Sequence, residues 1–436
     1  MMIRRRTASL GLLGLLASCS TPDAKPIPGI QIPVLPDQSG MEPSANAPDV
    51  TLPPAQPLSA WPQPLANPAH VPGNVTGPLG FSHKWHKDIG DGGGYRQPLA
   101  ASPVVAEGNV FTMDANAHVR AFSLADGKQI WHTTARPHKA TGQNLGGGIA
   151  YDSGRIYVST GFAEMMALDA ATGKILWRGT SLFPARSAPL VAGGVVAVVV
   201  QNGILLSYNP KTGAEGWRFS GSVGTPPMTA VGVTGAPAYA DGIIVAGFST
   251  GVLAAIDANS GTPIWEQSLA AGFGQASSLD LADIVAAPVI AGGVVYALNL
   301  SGSFMAVDLH SGAKVWTHQA VGNQPPAASG GFLFLLDNKA RLYAVHADDG
   351  LVRWSTDLPG FKNMKKKKNP IMWSGPTLIN GMLVAVSDTG EAALVDARTG
   401  KIQHMVKLGA PADIPPLAVG GVLLQLTRDA RLTAYD

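Results

Sequence analysis

The sequence predicts an all-β fold, an eight-bladed β-propeller of four-stranded antiparallel blades. The ring would be closed by N- and C-terminal strands that share one blade. A phrase of the form Asp-x-x-Thr-Gly-x-x-x-Trp, or a close variant, recurs along the chain, with closing residues separated by 46, 40, 48, 51, 38 and 50 residues. Short apolar segments broken by Gly, Asn and Asp lie between the copies. Repeats of about 40–50 residues built from short strands are typical of propellers.

One repeat, residues 102–131, contains the strands of a whole blade. Four short apolar or alternating segments are separated by three turns, Glu107-Gly-Asn, Asp114-Ala-Asn and Ala125-Asp-Gly. Gly, Asn and Asp are the residues that tight turns favour, because they tolerate positive φ or hydrogen-bond to the nearby backbone. Each repeat is therefore expected to form four antiparallel strands.

The conserved parts of the phrase have a mechanical interpretation. The acidic or amide side chain can accept turn N–H groups, the glycine can adopt positive φ, and the large indole can seal one blade against the next. We therefore assign a structural role to the tryptophans of the repeat, and the seventh copy closes with His404 instead. The tryptophans are Trp85, Trp131, Trp177, Trp217, Trp265, Trp316 and Trp354.

The two ends of the chain complete an eighth blade. Trp85 precedes Trp131 by 46 residues but has no repeat before it, and the final segment, 431–436, matches only a third strand. Joining these two pieces leaves no unpaired end in the ring, which an open array of blades would expose. The propeller is predicted to span residues 80–436.

The N-terminus is predicted to be a lipoprotein signal peptide over residues 1–18. It has Arg at 4–6 and an apolar run at 10–17 that is too short to remain as a transmembrane helix. Leu16-Ala-Ser-Cys19 resembles the bacterial lipobox, which implies cleavage before Cys19 and lipidation of its thiol. Ser20, in place of Asp, implies transfer to the outer membrane. An ordinary signal peptide is the alternative.

Residues 19–79 are rich in Pro, Ala and Gln and show no strand pattern. Such a composition predicts an extended, mostly disordered tether. Trp61, near its end, is expected to pack on the propeller.

Composition excludes some classes of function. The charged fraction is 14%, the hydrophobic fraction 46% and the net charge +2, which is typical of a globular protein and gives no basis for nucleic-acid binding. Cys19 is the only cysteine, so a disulfide or a cysteine-based metal site in the propeller is excluded. The ten histidines show no metal-ligand spacing. We predict no catalytic residues, no metal and no cofactor.

The phrase, the lipobox and the eight inferred blades resemble the BamB-like outer membrane protein assembly factors, whose repeats belong to the quinoprotein-like (PQQ-like) class. The resemblance implies a non-catalytic scaffold lipoprotein of the barrel assembly machinery, lipid-anchored at the periplasmic face of the outer membrane. It implies a BamA-like barrel protein as partner, nascent outer membrane proteins as further ligands, and a monomer within a complex. A ligand-binding sensor of the envelope and a PQQ-dependent dehydrogenase are the alternatives.

The resemblance also implies a partner site on the loops entering blades four and five, 223–235 and 275–287. Leu281-Ala-Asp-Ile-Val-Ala-Ala-Pro resembles a family loop with two aspartates, of which Asp283 matches the first and Val285 replaces the second. The stretch Thr229-Ala-Val-Gly stands where the family carries an arginine. The implied partner-binding residues are Thr229, Val231, Asp280, Leu281 and Asp283.

A second candidate site is a run of lysines between the sixth and seventh phrases. Lys362 and Lys365, Lys366, Lys367 and Lys368 place five cations within seven residues of a connecting loop. Such a patch can dock on anionic headgroups or an acidic partner, and the alternative is a solvated loop. Trp373, just beyond it, is expected to be a core residue.

Overall fold

The computed structural model describes residues 41–94, 99, 101–221, 234–269 and 282–436. These residues form eight four-stranded antiparallel sheets and one two-stranded hairpin, and the predicted eight-bladed propeller is confirmed. In the described part of the chain, no helix has the length and hydropathy needed to cross a membrane.

The first strand, β1 (His83–Asp88), belongs to the last blade. Blade 1 consists of β2 (Val104–Ala106), β3 (Asn109–Met113), β4 (His118–Ser123) and β5 (Gln129–Thr134). Blade 2 consists of β6 (Gly147–Asp152), β7 (Arg155–Thr160), β8 (Glu164–Asp169) and β9 (Ile175–Thr180). Blade 3 consists of β10 (Leu190–Ala192), β11 (Val195–Val200), β12 (Ile204–Tyr208) and β13 (Glu215–Ser220). Blade 4 consists of β14 (Ala238–Ala240), β15 (Ile243–Gly247), β16 (Val252–Asp257) and β17 (Pro263–Ser268).

The remaining blades follow in the same way. Blade 5 consists of β18 (Val289–Ala291), β19 (Val294–Leu298), β20 (Ser303–Asp308) and β21 (Lys314–Gln319). Blade 6 consists of β22 (Ala327–Ser329), β23 (Phe332–Leu336), β24 (Arg341–His346) and β25 (Val352–Asp357). The hairpin is β26 (Phe361–Asn363) and β27 (Lys368–Pro370). Blade 7 consists of β28 (Trp373–Ile379), β29 (Met382–Ser387), β30 (Glu391–Asp396) and β31 (Ile402–Lys407), and blade 8 of β32 (Leu417–Val419), β33 (Val422–Leu426), β34 (Arg431–Tyr435) and β1.

The position of a strand within its blade determines its sequence pattern. Middle strands such as β11, Val-Val-Ala-Val-Val-Val, are almost wholly buried because neighbouring blades cover both of their faces. Outer strands such as β5 and β9 are mostly exposed, and the tryptophan of the phrase is their buried residue. The core is therefore divided into apolar layers between successive blades.

Each tryptophan of the phrase joins its blade to the next one. The indole N–H of Trp131 donates to the Ala170 carbonyl at 2.9 Å, and that of Trp265 donates to the Leu309 carbonyl at 2.7 Å. The same bond is made by the other five, at distances between 2.8 and 3.1 Å. We call this contact the indole clasp. It satisfies the one polar group of a side chain whose rings are otherwise packed on protein.

The glycine of the phrase receives the indole. Gly173 has φ of +73°, and a Cβ placed on it would lie 2.5 Å from the Trp131 ring. Both the backbone conformation and the lack of space therefore require glycine. In the same turn, Asp169 Oδ1 accepts the Thr172 hydroxyl at 2.6 Å and the Thr172 N–H at 2.9 Å. These hydrogen bonds, the one from the hydroxyl first, lower the pKa of Asp169.

The interface between blades 7 and 8 lacks the clasp for a topological reason. In blade 8 the outermost strand β1 pairs with β34, the last strand of the chain, with Trp85 opposite Ala434. The two strands come from opposite ends of the chain, so no turn links them and no turn glycine can receive an indole. His404 occupies the tryptophan position on blade 7 and is exposed. Phe81 and Tyr435, whose rings are 5.3 Å apart, close this end of the core instead.

Residues 41–79 form a strap across one face of the disc. In seven blades the strap forms hydrogen bonds at the end of the innermost strand. In blade 6 it forms a hydrogen bond to the outermost strand. The bonds are Val105–Trp61, Tyr151–Pro62, Val191–Gln63, Tyr239–Pro68, Ile290–Ala69, Val75–Leu378, Gly420–Leu58 and Ser44–Val352. The strap closes on itself, because Gln56 N–H donates to the Asn74 carbonyl and Thr76 N–H donates to the Gln56 carbonyl, both at 2.9 Å.

The predicted disordered tether is therefore wrong for residues 41–79. Val75 is fully buried, and Trp61 is 3% exposed, which confirms its predicted packing on the propeller. Composition could not predict this result. The backbone N–H and carbonyl groups of an extended Pro-rich segment can bond either to solvent or to the unpaired ends of strands, and the sequence of the segment is the same in both cases. Residues 1–40, which include the predicted signal peptide and Cys19, lie outside the described residues.

The topology gives the disc two different faces. Because each blade is a four-stranded antiparallel meander, the inter-blade connections and the middle turn of every blade lie on one face, which we call the connecting face. The first and third turns lie on the other, which we call the turn face. The strap contacts residues beside the first and third turns, such as Gly330, Val352 and Gly381, and so it covers the turn face.

The clasp generates a stability prediction with an internal control. Trp354→Ala removes a buried indole and its bond to the Ala397 carbonyl, and it should lower the free energy of unfolding by about 3 kcal/mol. His404→Ala, at the equivalent position one blade later, should change it by less than about 0.5 kcal/mol because His404 is exposed. Chemical denaturation measures both values, and equal losses would contradict the clasp.

The strap generates a prediction of pH dependence. His70 is buried, its Nδ1–H donates to the Pro288 carbonyl at 2.7 Å, and burial lowers its pKa to about 4. The unfolded chain binds this proton near pH 6.5 and the folded chain near pH 4, so stability present above pH 6.5 is lost as the pH falls toward 4. The loss should approach about 3 kcal/mol.

His70→Asn should flatten this decrease, because the asparagine amide keeps a donor for the Pro288 carbonyl but does not titrate. The control is His132→Asn at an exposed histidine, which should retain the full slope. Urea unfolding at closely spaced pH values between 4 and 7 gives the comparison. A His70→Asn variant that loses stability as steeply as the parent chain would contradict the assignment.

Candidate partner-binding face

The described C-terminal ends of the loops that enter blades 4 and 5, residues 234–235 and 282–287, lie next to each other on the connecting face. Gly235, just after the first loop, lies so close to the end of the second loop that a Cβ on it would be 2.3 Å from the Ala287 backbone. Thr234 N–H donates to the Arg186 carbonyl at 3.0 Å, which ties the first loop to the connection between blades 2 and 3. The structure therefore brings the C-terminal ends of both predicted partner loops into contact.

The middle turns of blades 4 and 5 hold both ends of the second loop. Leu269 N–H donates to the Gly251 carbonyl at 2.8 Å, and the Asn299 amide donates to the Leu269 carbonyl at 2.6 Å. On the other side, Ile284 is buried and packs on Gly247, where a Cβ would be 2.3 Å away. The described residues on either side of 270–281 are thus fixed by contacts with blades 4 and 5.

Of the predicted partner residues, the structure describes Asp283. Thr229, Val231, Asp280 and Leu281 lie outside the described residues. Asp283 is 1% exposed, and its carbonyl accepts the Leu300 N–H at 3.1 Å. Asp283 is therefore buried in the chain on its own, and its contact with a partner stays a prediction.

The run of lysines forms the hairpin of β26 and β27. It stands beside the middle turn of blade 7, on the connecting face, and all five lysines are exposed. Trp373 is buried, and its indole N–H donates to the Pro359 carbonyl at 2.8 Å. The predicted core position of Trp373 is confirmed. The hairpin lies two blade interfaces away from the contact between the two partner loops.

One cluster of titratable residues was not predicted from the sequence. Ligand atoms of Asp91, Asp114 and His118 lie within 4.8 Å of one another. Asp114 Oδ2 accepts Arg120 at 3.0 Å and His118 Nδ1 at 3.1 Å, and its Oδ1 accepts the Asn116 and His118 N–H groups at 2.9 Å. The guanidinium occupies the side of the carboxylate where a cation would bind. The arrangement fits an ion-pair network that ties the loop after β1 to the middle turn of blade 1.

A family model described as outer membrane protein assembly factor BamB matches residues 115–356. The chain is similar to the outer membrane protein assembly factor BamB of Yersinia pestis, with 29% identity over 352 residues that cover 78% of this chain and 85% of that protein. It is also similar to BamB of Shewanella oneidensis, with 29% identity over 332 residues that cover 74% of this chain and 80% of that protein.

Solved structures show the same fold. The crystal structure of BamB from Moraxella catarrhalis matches with a TM-score of 0.65 and 16% identity, covering 81% of this chain and 100% of that one. Quinohemoprotein alcohol dehydrogenase from Comamonas testosteroni matches with a TM-score of 0.67 and 14% identity, covering 87% and 81%. Because the two structural matches are equally good, the fold alone does not separate these two classes, whereas the family model and the sequence relatives named above are those of BamB.

Proposed function

Since the chain belongs to the BamB family of outer membrane protein assembly factors, we propose that it is a non-catalytic scaffold of the barrel assembly machinery. In this proposal the loops 223–235 and 275–287 hold a BamA-like barrel protein. Cys19 anchors the chain by lipid to the periplasmic face of the outer membrane. Nascent outer membrane proteins are the further ligands of the complex.

The observation that carries the proposal is the family match over 115–356, which includes both loops. The geometry supports it, because the ends of the two loops are in contact through Gly235 and Ala287. Side chains from two consecutive connections can therefore act on the same partner. A joint contact of this kind is better suited to a folded protein domain than to a small ligand.

The two faces of the disc support a partner on the connecting face. The strap covers the ends of the innermost strands on the turn face, so a partner there would meet the strap and short turns. The connecting face presents the longer segments between blades. Residues that carry binding are most often on loops held by a rigid scaffold.

Different residues would have different tasks in this interface. Leu281 and Val231 supply apolar contacts, while Thr229 and Asp280 supply polar contacts at their margin. Asp283, which is buried, would position the second loop. Val285 stands where the family carries a second aspartate, so apolar contact would contribute more of the affinity here than a charge pair.

The closed ring suits a scaffold because a rigid body loses little conformational freedom when it binds. Seven indole clasps and the strap hold the blades together, and the bonds of Leu269 to Gly251 and Asn299 hold a residue that flanks the second loop. Binding free energy is then not consumed in ordering the disc, and the disc can hold a partner domain in one orientation. The proposed role is to keep that domain placed for insertion of barrel strands.

The proposal predicts a loss of partner when both apolar loop residues become acidic. The double variant Val231→Glu/Leu281→Glu should recover at least roughly tenfold less BamA-like barrel protein, the equivalent of about 1.4 kcal/mol. The measurement is quantitative mass spectrometry of proteins that co-purify with the tagged chain from detergent-solubilised envelopes.

The matched control places the same change on the opposite side of the same two blades. Ile264 and Val315 are exposed apolar residues of β17 and β21, 44% and 46% exposed, next to the third turns. Ile264→Glu/Val315→Glu should co-purify the barrel protein as the parent chain does. Equal recovery by the loop variant and the parent chain, with both folded, would contradict the proposed interface. Asp283 variants are less suitable, because a buried side chain affects stability as well as binding.

A further inference from the structure

We propose that the lysine hairpin, 361–370, and the groove beside it form a second docking site, which takes an extended polypeptide segment with acidic and apolar side chains. The site lies on the connecting face between blades 6 and 7, away from the loops of blades 4 and 5. The proposal does not depend on the identity of the partner held by those loops.

The base of the hairpin is fixed by hydrogen bonds. Ile371 N–H donates to the Gly360 carbonyl at 2.9 Å, and Met372 N–H donates to Asp388 Oδ1 at 3.0 Å. Trp373 lies below, with its indole bonded to the Pro359 carbonyl. At the tip, Asn363 Oδ1 accepts the Lys366 N–H at 3.0 Å. The hairpin is therefore an ordered element that projects from the disc and is held at its base by hydrogen bonds.

The charges of the hairpin are not balanced by ion pairs within the described residues. In the part of the chain that the structure describes, none of the five lysines forms an ion pair with a carboxylate. Five like charges within seven residues repel one another. An anionic ligand would relieve this repulsion, and the positive field would increase its rate of association.

The groove supplies an apolar floor beside these charges. It has a volume of about 790 Å³, and Phe361, Ile371 and Met405 line it together with Lys362 and Lys407. Glu391 also lines the groove and faces Lys407 across the β30–β31 pair, so the charge of Lys407 is partly balanced. Lys362 forms no ion pair among the described residues. A ligand would therefore place apolar side chains on the floor and its acidic side chains toward the hairpin.

The strand edges of the hairpin favour an extended polypeptide over the anchoring membrane. The hairpin is a separate two-stranded sheet, and neither strand has another neighbour among the described strands, so each offers an edge that an extended chain can pair with. Met364 and Met372, 61% and 44% exposed, provide adaptable apolar contact at the tip and base of the hairpin.

The test is a direct titration of the purified full-length chain with a labelled peptide in which glutamate alternates with valine and leucine. Fluorescence anisotropy should show saturable binding that weakens with added salt, because exposed charges are screened. A peptide with glutamine in place of glutamate should bind at least roughly tenfold more weakly, the equivalent of about 1.4 kcal/mol. Vesicles containing phosphatidylglycerol test the membrane as the alternative ligand.

Two variants and one matched control locate the site. Replacing all five hairpin lysines by glutamine should weaken peptide binding roughly tenfold, about 1.4 kcal/mol, and Met405→Gln should weaken it without any change of charge. The control replaces five exposed lysines near the third turns of the opposite face and should bind as the parent chain does. These are Lys128, Lys174, Lys211, Lys314 and Lys401.

Three results would overturn the proposal. The first is no saturable peptide binding, and the second is equal affinity of the five-lysine variant and the parent chain. The third is binding to phosphatidylglycerol vesicles without binding to the peptide. Thermal unfolding of each variant establishes that the disc is intact, and Met405→Gln keeps the test decisive if the charge variant does not fold.

Discussion

The architecture depends on one repeated interaction, the indole of each outer strand held by the third turn of the next blade. Each clasp joins a ring N–H, a carbonyl and a glycine that leaves room for the indole. The contact always joins a blade to the one that follows it, so the same hydrogen bond is repeated in one direction around the ring. At the single interface where the following blade has no third turn, His404 replaces tryptophan. The sequence thus reflects the place where the chain ends meet.

The strap is the second constraint, and it makes the two faces of the disc unequal. The ends of the innermost strands leave N–H and carbonyl groups near the middle of the turn face, and residues 41–79 bond to them blade by blade. His70 shows how fully this segment is incorporated, since burial lowers its pKa to about 4. The connecting face carries the longer segments, among them both loops of the proposed partner site and the lysine hairpin. In the proposed function, this division leaves the connecting face of the disc open for partners.

The fold was predictable because its determinants are local and repeated. Turn chemistry, alternation and the period of the phrase each indicate a blade, and the complementary ends of the chain indicate closure. The strap was not predictable, because its bonds join residues such as Trp61 and Val105, or Gln63 and Val191, that no local pattern connects. For the candidate site, the family resemblance identified the loop of Asp283, but no local pattern showed that Asp283 is buried or that its neighbour Ile284 packs on Gly247 of another blade. The lysine run was visible in the sequence, while the groove beside it requires Met405 from the far strand of blade 7.

The proposed function requires this member of the BamB family to bind its partner through the connecting face while the strap stays in place. Hydrogen exchange of the chain, alone and in complex with the BamA-like barrel protein, tests this requirement. Binding should slow exchange in peptides covering 221–235 and 269–287 and leave exchange in peptides covering 41–79 unchanged. Protection of the strap with no change in the two loops would contradict it.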